Sequence, residues 1–317
     1  MVLVLAIVAP GQGAQTPGFL APWLTGPAVD TVTAFSEAAG IDLAYYGTDA
    51  DAEAIRDTAI AQPLLVAAGL VAAQALTGDS TVPFRGADIA AGHSVGEITA
   101  AAGVGVISPR DAVSLVRERA LGMAEASALR PTTMAAVVRG DAAAVVAAIE
   151  AVGATAANHN GSGQIVAAGT AEQIAELKAN PPSGSRVVPL SVAGAFHTSH
   201  MEPGRVRLAA AAASLRATDP ALTLLSNADG AVVAHGADYL ARLVNQVTSP
   251  VRWDLCMATM AALGVTGILE LPPSGTLTGI AKRNLAGVAL FNLNTPDQLD
   301  DARAFVAEHA STSSQEA

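Results

Sequence analysis

What this chain lacks narrows it first. It has one cysteine, Cys256, so an internal disulfide is impossible, no oxidising compartment is implied, and a buried structural thiol is the default. Positive charge is scarce: 17 Lys and Arg against 28 Asp and Glu leave a net charge of −11, which argues against a nucleic-acid partner, because holding phosphate chains needs a basic face. Charged residues make up 14% and hydrophobic ones 51%, but the excess is largely alanine, and no apolar run reaches the length that crosses a bilayer. The opening stretch Met1 to Ala9 has no basic residue ahead of its apolar run and meets Pro10-Gly11-Gln12-Gly13 at once, so it reads as a buried strand rather than a signal peptide. These absences point to a globular cytoplasmic protein with neither a membrane nor a nucleic-acid partner.

What is present is an alternation of strands and helices. Strands are predicted at 2–8 and 87–91, a helix near 60–76 and another behind Ser94; the rhythm resumes with a strand near 222–226, a helix opened by Ser249-Pro250, and strands at 265–271 and 288–293. Such alternation makes a parallel sheet covered by helices on both faces. Between about 130 and 192 the order becomes βαββαβ: strand 133–138, helix 142–152, strands 155–159 and 164–168, helix 171–179, strand 186–190. That is the order of a ferredoxin-like unit. The predicted fold is therefore α/β, with a large domain at 1–129 and 193–310, a small inserted one at 130–192, and a frayed tail at 311–317. A cleft between the two is where a ligand would lie.

The sharpest signal is Gly92-His93-Ser94-Val95-Gly96, a serine between two glycines where the strand at 87–91 gives way to a helix at 97–102. Small flanking residues permit the strained turn that lifts a hydroxyl above a sheet edge, beside the N–H groups of a helix start. A serine hydroxyl needs a base, and six histidines are available. His93 adjoins the serine, and neighbouring side chains diverge at a tight elbow, so it reads as a supporting residue; His159 lies in a strand of the insert, and His235 and His309 in polar surroundings. His197 and His200 remain. Ser199 and Glu202 have capping-box spacing, which predicts a helix starting there with His200 in its first turn and His197 on the preceding loop, where the chain returns from the insert. His197 is the candidate base.

Ser108-Pro109-Arg110-Asp111 predicts a helix from 109 to about 126, on which Ala112, Val116, Arg119, Ala120 and Met123 share an inward face, while Arg117 faces solvent. A buried Arg119 needs an anion. An internal ion pair and a waiting site for a substrate carboxylate account for it equally well. Pro10-Gly11-Gln12-Gly13 lacks the Lys-Ser/Thr of a phosphate-binding P-loop and the third glycine of a dinucleotide fingerprint; it is either an ordinary glycine turn or a loop aiming N–H groups at an oxyanion.

In order along the chain, PGQGAQ at 10–15, Ala61-Gln62-Pro63, GHSVGE at 92–97, Arg119, NHNGSGQIVAAG at 158–169, AFH at 195–197, NQVTSPVRW at 245–253 and LTGIAKR at 277–283 resemble the malonyl-CoA:acyl carrier protein transacylases, which load extender units in fatty acid and polyketide synthesis. The resemblance implies a hydrolase-like core with a ferredoxin-like insert, Ser94 as nucleophile, His197 as its base, and the Gln246 backbone carbonyl as the group orienting the histidine. It also implies an oxyanion hole at the Val95 N–H and the Gln12 main chain, and Arg119 as the clamp for the malonyl carboxylate. Gln62, His93, Asn158, Asn160 and Phe196 would line the pocket, Phe196 crowding a 2-methyl branch, although Gly194 stands where malonyl-selective synthase domains carry histidine. The implied substrate is malonyl-CoA and the partner an acyl carrier protein bearing phosphopantetheine, with no metal and no tightly bound cofactor; a monomer is the default. A serine esterase or thioesterase and a non-catalytic CoA-binding scaffold are the rival readings. Lys282 and Arg283, with Arg252, are candidates for a local carrier-docking patch on an otherwise acidic protein.

Overall fold

A computed structural model of the chain describes residues 3–311. Among these residues nine strands form two sheets: β1 (Leu5–Ala9), β2 (Ile89–Gly92), β3 (Thr132–Arg139), β4 (Thr155–His159), β5 (Gln164–Thr170), β6 (Ser185–Pro189), β7 (Thr223–Leu224), β8 (Gly267–Glu270) and β9 (Ala289–Asn292). The larger sheet has the order β7-β2-β1-β8-β9, with every pairing parallel. All five residues of β1 are buried, as they must be when helices cover both faces. Side chains alternate along the strand: Leu5 and Ile7 enter one core, Ala6 and Val8 the other. The first core holds the helices Thr58–Thr77 and Pro109–Ala128, and the second holds Trp253–Ala262 and Thr276–Asn284. Because Ala9 is in register with Gly92, the loops that follow β1 and β2 leave the same carboxyl edge side by side, where open α/β sheets place their sites.

The inserted unit folds as β4-β5-β3-β6, all antiparallel, with helices Ala142–Ala151 and Ala171–Ala179 sharing a small core of their own with the sheet. The βαββαβ order of the sequence is therefore the order of the structure. A bulge between Ala156 and Asn158 breaks the β4–β5 register, and Asn158 makes an isolated parallel bridge to Val251 of the larger unit. Bulges re-aim side chains, and this one gives the insert a direct hold on the rest of the protein.

Three expectations are corrected. The helix placed at Ser249-Pro250 begins at Trp253, because Val251 is drawn into the bridge with Asn158 before the chain can coil. Helix Thr58–Thr77 is, by length and composition, long and apolar enough to cross a membrane; Gln62, Pro63 and Gln74 interrupt its sequence without making a polar face. It is a core helix, with 78% of its most apolar stretch buried inside the protein. Ser311, expected in a frayed tail, hydrogen-bonds Asp88 through both its backbone N–H and its hydroxyl; the rest of that tail lies outside the described residues.

Candidate active site

At the end of β2 the chain turns so sharply that Ser94 takes φ 56°, left-handed backbone that a non-glycine residue adopts only when its surroundings enforce it. The flanking glycines are what permit the turn. A Cβ on Gly92 would sit 1.9 Å from the Gly96 carbonyl carbon, and one on Gly96 would sit 2.2 Å from the Ala9 carbonyl oxygen, so the elbow closes on itself and presses against β1. The helix Gly96–Gly103 starts immediately behind, with Val95 at its N-cap. Ser94 lines a cavity of about 220 Å³ between the two units.

His197 reaches the same cavity from the returning chain, also in left-handed backbone at φ 61°. Its Nε2 lies 2.9 Å from Ser94 Oγ and its Nδ1 lies 3.0 Å from the Gln246 backbone carbonyl. With Nδ1–H donating to that carbonyl, Nε2 is left as the acceptor facing the hydroxyl. The Gln246 amide nitrogen also stands 3.0 Å from Nδ1, but an N–H cannot donate to a nitrogen that carries its own hydrogen, so the carbonyl is the partner. Burial first, then the Arg119 cation, push the His197 pKa down from 6.5 to about 3. The ring is neutral at neutral pH. The predicted capping box is not formed: Thr198 caps a short 3₁₀ turn, Ser199–Met201, by accepting the His200 N–H, the α-helix follows from Glu202, and His200 does not line the cavity.

Arg119 is buried on the inward face of its helix and lines the cavity. Its Nη1 donates to Gln62 Oε1 at 2.6 Å, and its Nη2 to Gln246 Oε1 at 3.1 Å and to Ser94 Oγ at 3.3 Å. Among the described residues no carboxylate pairs with it. The internal ion pair, one of the two sequence readings, is therefore absent there. Burial lowers its pKa to about 10, which leaves it a cation at neutral pH, held by three neutral oxygens and open to an anion. Arg117, expected in solvent, is half-buried and donates to the Ala59 carbonyl at 2.7 Å.

Gln12 and Val95 both line the cavity, and among the described residues neither backbone N–H has a protein acceptor. His93 Nε2 and Asn160 Oδ1 are 2.9 Å apart, Asn160 in turn donates to Gln164 Oε1, and Asn158, His93 and Asn160 all line the wall. Phe196 lines it too. Gly194 is explained by packing: a Cβ there would lie 2.2 Å from Ser127 Oγ, so the side chain of a larger residue has no room. The residue that sequence reasoning missed is Asn227, which is fully buried and whose Oδ1 accepts the Ser94 N–H at 2.8 Å. Nothing in a single Asn after a two-residue strand signals that contact, 133 positions from the serine. Among the described residues no cluster of three or more potential metal ligands occurs.

A family model described as "Acyl transferase domain" matches residues 8–307. The malonyl CoA-acyl carrier protein transacylase of Mycobacterium tuberculosis is 50% identical over 299 residues, covering 94% of this chain and 99% of that protein. The Escherichia coli K12 protein of the same name is 32% identical over 302 residues, covering 93% and 97%. Among solved structures, the MCAT crystal structure from Mycobacterium tuberculosis aligns with a TM-score of 0.91 at 49% identity over 95% of this chain and 99% of that one. A malonyl-transacylase in complex with AntF, a type II PKS acyl-carrier protein, aligns at 0.87 with 28% identity over 95% and 99%.

Proposed function

This chain belongs to the acyl transferase domain family and, within it, to the malonyl-CoA:acyl carrier protein transacylases, and from that premise we propose that Ser94, His197 and Arg119 carry a malonyl group from coenzyme A to a carrier thiol in two half-reactions. Ser94 Oγ attacks the thioester carbonyl as its proton passes to His197 Nε2, 2.9 Å away. The tetrahedral oxyanion is received by the Val95 and Gln12 N–H groups. Collapse breaks the carbon–sulfur bond, and the coenzyme A thiolate takes the proton from His197. The phosphopantetheine thiol of acyl carrier protein then attacks the malonyl-serine ester by the reverse sequence, so the enzyme returns unchanged and the kinetics are ping-pong. Gln246 holds the imidazole through its carbonyl and Arg119 through its amide, so one residue aligns both the base and the clamp. Extender supply for fatty acid synthesis, and for polyketide synthesis where such carriers are present, is the corresponding role.

The observation that carries this reading is Arg119: a buried cation within 3.3 Å of the nucleophile, with no carboxylate paired to it among the described residues. Malonyl thioesters bring that carboxylate, and the planar fork can hold it bidentately. A serine esterase has no use for such a cation. Radiolabelled malonyl-CoA should leave covalent label on the wild type and none on Ser94→Ala; equal labelling of both, or label in neither, refutes the scheme. The single buried cysteine is compatible with a reducing cytoplasm, where we place a monomeric enzyme without a tightly bound cofactor.

A further inference from the structure

Glu97 closes the Gly92–Glu97 segment and has no part in the proton transfers above, yet its side chain is 1% exposed directly behind the nucleophile. Its Oε1 accepts the Asn227 N–H at 2.7 Å, and its Oε2 has no partner among the described residues. Asn227 is 0% exposed and uses both ends of its carboxamide on the elbow. Oδ1 accepts the Ser94 N–H and Nδ2 donates to the Gly92 carbonyl, each at 2.8 Å. Its own carbonyl accepts the Arg252 N–H at 2.8 Å. The left-handed turn at Ser94 is thus gripped on both sides by one carboxamide, and the residue that carries it is itself tied to Glu97 through its backbone N–H. Strained backbone persists only where the surroundings over-determine it, and no other side chain among the described residues makes these two contacts.

We propose that Asn227 and Glu97 are positioning residues for the acylation of Ser94, with Glu97 working as an uncharged acid whose ionisation slows that step. The inference rests on the acyl-transfer reading above. A buried carboxylate with one oxygen unpartnered and no ion pair is poorly satisfied, whereas the neutral acid still offers its carbonyl oxygen to Asn227. The groups that face it are Arg119 from helix Pro109–Ala128, Tyr239 and Arg242 from helix Gly236–Gln246, Cys256 from helix Trp253–Ala262, and Ser226 beside Asn227. Arg242 is already paired with Asp229 at 2.8 Å, and Arg119 is turned to the cavity. Burial raises the Glu97 pKa to about 8, against the weaker pull of the Asn227 N–H, the two arginines and the Ser226 hydroxyl. The Tyr239 phenol and the Cys256 thiol are both pushed upward by burial, so neither ionises in that range. Ionised Glu97 would set a negative charge beneath a site that must hold one carboxylate and develop one oxyanion.

The experiment is the pre-steady-state rate of Ser94 acylation by malonyl-CoA, without carrier, between about pH 6 and pH 9.5. The wild-type rate should fall on the alkaline side about a midpoint near 8, by roughly tenfold, separate from the later loss of Arg119 charge. Glu97→Gln should retain the neutral-pH rate within about threefold and lose that alkaline limb. Asn227→Ala should cut the acylation rate constant by about 100-fold with little change in the malonyl-CoA concentration at half-saturation, since it contacts no substrate. A wild-type profile flat through pH 8, or a Glu97→Gln profile that keeps the limb, overturns the inference while leaving the functional reading intact. Absence of wild-type acylation at every pH overturns both. If Glu97→Gln does not fold, glutamate-selective ¹³C NMR of the wild type decides: one side-chain carboxyl titrating near 8 supports the assignment, and all titrating in the ordinary range refutes it.

Discussion

Among the described residues the guanidinium of Arg119 is solvated by protein without being neutralised by a bonded acid: glutamine oxygens from two different helices take its N–H groups, and the Ser94 hydroxyl takes a third contact. On the acyl-transfer reading proposed above, substrate charge is the missing partner. Arg119→Ala should lower malonyl transfer by about 100-fold and spare or raise acetyl transfer, measured as kcat/KM with both thioesters, because only malonyl supplies the carboxylate whose charge-assisted pair is lost. Equal losses for the two would assign the arginine to structure. His197 makes a second residue-scale prediction. Its depressed folded pKa, about 3 against 6.5, gives stability that is present above 6.5 and drains away as pH falls toward 3, since the unfolded chain binds the proton first. Urea unfolding between those limits should show wild type losing more stability than His197→Ala. The inward Arg119 was legible because an apolar stripe at helical spacing leaves one direction for that side chain. Asn227 was not, because its partners come from a strand end far upstream and no periodicity links them.

At the scale of elements, the elbow is the most constrained piece of the chain. Gly96→Ala would bring a methyl within 2.2 Å of the Ala9 carbonyl, where its nearest neighbours are all backbone of Ala9 and Pro10 and no flexible side chain can yield. The variant should lose about 1–3 kcal/mol of stability by urea unfolding and most of its acylation rate, because the turn must open to fit it. Strand, glycine, serine and helix were all readable here, since the turn writes its requirement into the glycines. The start of the helix after His197 was misread for a physical reason. Ser199 and Glu202 have the spacing of a cap, but Thr198 captures the His200 N–H first, and Glu202 is engaged by Arg205 at 2.5 Å. Local spacing cannot tell which of two adjacent hydroxyl residues serves as the cap. The same limit moved the helix at 249–250 to Trp253, where a long-range bridge to Asn158 overrode a good local start signal.

Across the whole molecule, the cavity is walled by both units, and shared core packing together with hydrogen bonds across the boundary holds them in register. The Asn158–Val251 bridge is one such tie, and the Ser162 N–H donating to Asn284 Oδ1 at 2.7 Å is another. Asn284→Ala should cost about 1 kcal/mol and raise KM for malonyl-CoA more than it lowers kcat, because it loosens a wall rather than the chemistry. On the same helix, whose Thr276, Leu277 and Ile280 face the cavity, Lys282 and Arg283 are exposed. Reversing both charges should raise KM for the carrier protein and flatten its salt dependence while sparing malonyl-CoA; unchanged carrier kinetics would leave them as ordinary solvated charges. The alternation behind the parallel sheet and the βαββαβ order of the insert were legible in the sequence, whereas the ties between the units depend on a bulge and an asparagine that carry no pattern. Helix Thr58–Thr77 sets a last consequence. Twenty residues with no water-compatible side are harmless only while sheathed, so once heat strips the sheath they should cling to their counterparts on other molecules before refolding can rescue them. Melting is then expected to be one-way, with turbidity rising as the circular dichroism signal falls and little signal returning on cooling.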